Sequence, residues 1–168
     1  MYLGARVVAG LFLLTLVGCR DYDSLTPLGA ANAGWIDAEL LGTWRCAPAE
    51  GGEPALVSFR QFDETQYLLM IAGDEGSVFR AYSTRVGDSA FLNVQELKQS
   101  TLPDRGFTFV QYSIRDSQSL ELDRVGRELF EADEASDRSA IDVLEAALEG
   151  DANTLVPLLA CVRSHEET

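Results

Sequence analysis

Between residues 42 and 125 apolar and polar side chains alternate in short runs closed by turn-forming residues, and this period of two predicts β-strands. The runs cover residues 42–46, 56–62, 65–72, 77–86, 90–97, 107–115 and 119–125. In the second, Val57 and Phe59 alternate with Ser58 and Arg60. In the fourth, Phe79, Ala81 and Ser83 share one face, and Val78, Arg80, Tyr82 and Thr84 the other. Asp63-Glu64, Gly73-Asp74-Glu75-Gly76, Gly87-Asp88 and Asp116-Ser117 supply turns, while residues 98–106, with Pro103, make a looser connection. About seven strands at a spacing of roughly ten residues specify an up-and-down antiparallel sheet or barrel rather than βαβ units.

Beyond residue 125 the period lengthens. Ile141, Leu144, Ala147 and Leu148 recur at helical spacing over residues 139–149. Capping residues at 151–154 then precede a second apolar run, which predicts a helix over 153–162 with Pro157 in its first turn. Upstream, residues 34–41 predict one or two helical turns leading into the first strand, where Trp44 enters the core. The fold class is therefore mainly β with C-terminal α: an antiparallel up-and-down meander or barrel of about seven strands plus two C-terminal helices. A sheet face carrying Phe59, Leu69, Phe79 and Phe109 has to be sealed from water. Closure with Trp44 as a plug would do so, as would capping by the helices. The expected arrangement is a closed or strongly curved sheet with the helices outside it or across one end, so that removing residues after Gly150 leaves the sheet standing.

The first apolar stretch has a different character. Residues 7–17 are almost wholly apolar, Arg6 precedes them, and Gly18 comes just before Cys19, which is the grammar of a signal peptide. About eleven apolar residues fall short of the roughly 20 that span a bilayer. Leu16-Val17-Gly18-Cys19 also resembles the lipobox of bacterial lipoproteins at all four positions. That resemblance implies diacylation of the Cys19 thiol, cleavage before Cys19 and acylation of the new amine, enough acyl chains for stable membrane attachment. Arg20 stands where that family often carries an aspartate for inner-membrane retention, so of the two locations, cell (inner) membrane or outer membrane, the resemblance favours the outer membrane, on its periplasmic side. The expected organisation is a signal peptide at 1–18, a lipidated flexible tether at 19–33, one domain at 34–163 and a tail at 164–168. Loss of Arg6 with the leader leaves 12 basic against 27 acidic residues, a net charge of −15. Such a surface repels nucleic acid and anionic lipid. Cys46 and Cys161 remain as an even pair on an oxidising export route. A bridge between them would pin the C-terminal helix to the first strand, and a Cα separation above about 7 Å would exclude it.

Gly42-Thr43-Trp44, after a short lead-in and before a meander, resembles the Gly-x-Trp opening of lipocalin-like (calycin) barrels. The resemblance implies that Trp44 closes one barrel end beneath an arginine from near the last strand, and Arg124 and Arg127 stand in that place. A planar guanidinium can lie on an indole face while bonding exposed carbonyls. The similarity spans residues 34–127. It departs from the family in a count of seven strands rather than eight and in lacking the second motif between middle strands. It implies a shape and not a ligand, and an open sheet with Trp44 as a core aromatic is the alternative.

Catalytic groupings are not apparent. His165, the single histidine, sits in a polar tail without a partner. Cys46 and Cys161 have no Cys-x-x-Cys spacing, and Glu131, Asp133, Glu134 and Asp137 lack the spacing and glycine of an EF-hand loop, which reads as a solvated connector. There is no phosphate-cradling glycine loop, no Gly-x-Ser-x-Gly elbow and no Ser-x-x-Lys. The expectation is thus no enzyme, no metal and no cofactor beyond the covalent lipid on Cys19. Tyr67, Tyr82 and Tyr112 either turn hydroxyls toward a pocket rim or are satisfied within the core. Two functions remain. One is a membrane-anchored binding module for a small hydrophobic or lipid-like ligand. The other is a structural or accessory protein-interaction subunit of a cell-envelope complex, with a core filled by its own side chains.

Overall fold

The alternating runs become β1 (Gly42–Pro48), β2 (Ala55–Gln61), β3 (Gln66–Ile71), β4 (Ser77–Val86), β5 (Ser89–Glu96), β6 (Thr108–Asp116) and β7 (Ser119–Val125), each paired antiparallel with the next. An eighth strand, β8 (Leu155–Arg163), pairs with both β7 and β1 and closes the barrel. These features come from a computed structural model that describes residues 23–72, 77–97, 106–126, 128–131, 138–150 and 154–164. The leader, Cys19, Arg127, His165 and acidic residues 132–137 lie outside that set. An eight-stranded up-and-down barrel is compatible with a lipocalin-like fold.

The expected second C-terminal helix is corrected by β8. A short run apolar on both sides carries no decisive period, and pairing on both flanks selects the strand. Leu159 and Cys161 turn inward opposite Leu122 and Leu120, while Val162 is exposed. Pro157, which argued for a helix start, faces Asp123 where the β7–β8 register shifts by a residue. A bulge tolerates the missing N–H. The first C-terminal helix is present as α2 (Ala140–Gly150), preceded by one turn, α1 (Glu128–Glu131). Ser139 caps α2, with its hydroxyl 2.6 Å from Asp142 Oδ2 and accepting from the Asp142 amide.

Strand direction alternates, so the chain ends of β1 and β8 define two barrel ends. Gly42, Gln61, Gln66, Val86, Ser89, Asp116, Ser119 and Arg163 lie toward one, called the closed end below; Pro48, Ala55, Ile71, Ser77, Glu96, Thr108, Val125 and Leu155 lie toward the other, the mouth. The interior cluster runs from Leu40 and Trp44 through Phe59, Tyr67, Leu92, Tyr112 and Leu120 to Val57, Val110 and Leu122. A second cluster lies outside the barrel, where Val86, Phe91, Phe109 and Val125 are covered by Leu28, Phe130 and the Ala140, Val143 and Leu144 face of α2. Phe109 therefore belongs to this outer layer and not to the sealed interior face with Phe59, Leu69 and Phe79.

The expectation of a flexible tether through residue 33 is also corrected. Residues 23–33 form a strap laid along the outer wall. Asp23 and Ser24 pair with Phe107, the Leu28 amide donates to Asn93 Oδ1 at 2.7 Å, and Tyr82 donates to the Gly29 carbonyl at 2.9 Å. Leu28 is fully buried, and side-chain burial of that kind offsets the ordering entropy that composition alone suggested was unaffordable. Residues 34–41 make a single turn, Leu40 N–H to Asp37 O at 3.2 Å, in place of the helical turns expected.

Candidate functional site

The two barrel ends differ in chemistry. At the closed end Trp44 is fully buried and its indole N–H donates to the Leu40 carbonyl at 2.9 Å. Arg163, the last residue of β8, lies over the indole with its guanidinium carbon 4.2 Å from the ring centre. It donates to the carbonyls of Leu41 at 2.9 Å and Ser117 at 2.7 Å, and to that of Glu39. Gly42 is required beneath it: its φ is +127°, and a Cβ there would lie 2.8 Å from Arg163 Nη1.

Arg163 thus replaces Arg124 and Arg127 as the cover of Trp44. Arg124 stands at the other end of the barrel, 2.6 Å from Asp23, whose second oxygen accepts from the Phe109 amide at 2.9 Å. The physical reason is strand direction. β7 runs away from the Trp44 end, so residues at its finish cannot return there, and only an even-numbered final strand can. Arg127 lies outside the described residues.

Below the arginine, residues 35–41 form a lid held by tyrosines from inside. The Asp37 amide donates to Tyr67 Oη at 2.6 Å, Tyr67 Oη is 3.4 Å from Ser83 Oγ, and Tyr112 Oη donates to Asp37 Oδ2 at 3.4 Å. Arg85 lies over Trp35 on the same lid at 5.4 Å. Burial pushes the Tyr112 phenol up to about 12, against the opposing effect of its Ser83 hydrogen bond. Burial likewise raises Tyr67. These two hydroxyls fasten the lid, while Tyr82, also pushed up to about 12 by burial, faces the outside and fastens the strap.

Toward the mouth the inward side chains Ile71, Phe79, Val94 and Leu159 are only partly buried. Ile71 pairs with Val57, Val94 with Ala81, Phe79 with Leu69 and Leu159 with Leu122, the first of each pair packing on the core from the rim side. Arg124 and Glu96 bring charge to the same rim. Cys46 and Cys161 face each other across the β1–β8 seam and form a disulfide, with Cα atoms 4.0 Å apart. On the outside, α2 and the β4–β5 turn bound a groove of about 380 Å³ lined by Val86, Asp88, Gln111, Leu148, Glu149 and Leu155. Among the described residues no three His, Cys, Asp or Glu side chains are grouped to hold a metal, and no helix is long and apolar enough to cross a membrane. Comparison with protein-family models, curated proteins and solved structures finds no match to the chain.

Proposed function

We propose that the chain is a bacterial envelope lipoprotein, held to the membrane by acyl chains on Cys19, whose lipocalin-like barrel is a non-enzymatic binding module for a small hydrophobic or lipid-like molecule. The observation that carries this reading is the asymmetry of the barrel. Trp44, Phe59, Tyr67 and Tyr112 are buried beneath a hydrogen-bonded lid, whereas Ile71, Phe79, Val94 and Leu159, toward the mouth, are only partly buried and pack on that core. A barrel mouth walled by partly buried apolar side chains, with a few polar groups at its rim, is where an acyl chain or a comparable apolar body would enter.

The test is to fill the mouth. Val94→Trp should abolish binding of a long-chain fatty acid or a lipophilic fluorescent dye, measured by titration, while leaving the melting temperature close to wild type. If the wild type binds neither probe, and Val94→Trp lowers stability by the roughly 1–3 kcal/mol of an overpacked core, the interior is already full. The accessory-subunit reading, in which the outer faces do the work, then takes its place.

A further inference from the structure

The described residues expose eight large apolar side chains, and six of them, Leu25, Met70, Val78, Leu97, Val156 and Leu158, lie toward the mouth; Phe62 and Val162 alone lie toward the closed end. Isolated exposed apolar residues are ordinary on any surface, but a concentration at one end is not. Several of these adjoin. Met70 is the direct cross-strand partner of Val78, and the Leu97 amide donates to the Val78 carbonyl at 2.8 Å. Leu25 follows Ser24, whose bridge to Phe107 places it beside the start of β6, and Val156, the second residue of β8, lies opposite Arg124.

The chain enters the fold at this same end. Asp23 is buried and held by Arg124, by the Phe109 amide and by its own amide on the Phe107 carbonyl at 2.8 Å. Three residues lie between it and Cys19, so the two are at most about 14 Å apart along the chain. The nine residues of β6 extend roughly 30 Å along the wall, so a lipid on Cys19 holds the mouth end near the bilayer and leaves the closed end out of reach.

From the reach of this link and the placement of the rim, and resting on the lipoprotein reading above, we infer that the mouth rim docks on the bilayer that holds the Cys19 lipid, so that the barrel opens onto the membrane and takes its ligand from it. Exposed Glu50 and Glu53 in the β1–β2 loop, with Glu96 on the rim, keep the contact shallow and suit it to zwitterionic rather than anionic lipid.

The experiment uses the full-length protein, processed in a bacterial host and reconstituted into phosphatidylcholine vesicles containing lipid with a quencher near the headgroup. An environment-sensitive fluorophore is attached in turn to Leu25→Cys, Leu97→Cys, Phe62→Cys and Val162→Cys; Cys46 and Cys161 are bonded to each other and do not take the label. Labels at 25 and 97 should be quenched several-fold more than labels at 62 and 162. Equal quenching at both ends, or quenching confined to 62 and 162, overturns the docking. Intact mass on the same samples separates the premises: acylated protein with end-independent quenching refutes the docking alone, whereas protein lacking acyl mass refutes the lipoprotein reading and the docking with it.

Discussion

Arg163 does at one position what several residues would otherwise have to share. It covers an indole, bonds two lid carbonyls and that of Ser117 in the β6–β7 turn, and ends the last strand against the first. Arg163→Ala should cost about 2–3 kcal/mol in urea unfolding, from a lost cation–π contact and charge-assisted hydrogen bonds. Arg163→Lys should recover little of it, because an ammonium cannot lie flat on the ring and fork to separate carbonyls. Two tyrosines, Tyr112 beneath the lid and Tyr82 beneath the strap, give the fold a pH signature. Tyr112 and Tyr82 ionise near 12 in the fold and near 10 when unfolded, so between those values the unfolded chain releases protons that the folded chain keeps. Stability should therefore be unaffected below about pH 10 and fall as pH rises from there to about 12. Tyr112→Phe should reduce that alkaline slope, measured as unfolding midpoints against pH.

At the scale of elements, β8 is the piece on which the sheet depends. It supplies hydrogen-bonding partners to both β1 and β7 and carries Arg163 and Cys161. Truncation after Gly150 should therefore unfold the protein, seen as loss of β-type circular dichroism and of a cooperative transition, in contrast to the helical reading in which the sheet survives. Without β8, β1 and β7 become long unpaired edges, an aggregation-prone arrangement. The strap and α2 act together on the opposite problem. β5 and β6 are apolar on both faces, with Phe91 beside Leu92 and Phe109 beside Val110, and only the inner face can be sealed by barrel closure. Leu28, Phe130 and α2 cover the outer one. This double-sided pattern was visible in the sequence and is what a covered outer wall looks like there.

Over the whole molecule, closure of the barrel and the Cys46–Cys161 bridge reinforce one seam. The bridge spans 115 residues of sequence, so chain-entropy reasoning assigns it about 4–5 kcal/mol. Cys46→Ala/Cys161→Ala should lower the unfolding free energy, measured by denaturant titration, by up to that amount. The sequence by itself determined the strand-forming segments through β7, the α2 segment, the place of Trp44 and the pair of cysteines available to meet, because alternation, helical spacing and turn residues are local properties written in neighbouring side chains. The guanidinium over Trp44 was partly within reach: in an up-and-down sheet an arginine at the end of an odd-numbered strand lies at the wrong end, so the Gly-x-Trp opening already required an eighth strand. Tertiary structure alone decided that residues 155–163 are that strand, that residues 23–33 are a fixed strap and that Phe109 faces outward. Each of these depends on partners distant in sequence, a ladder on both flanks, the Asn93 side-chain carbonyl oxygen or a helix laid across the wall, and local pattern carries no record of contacts between segments that lie apart in the chain.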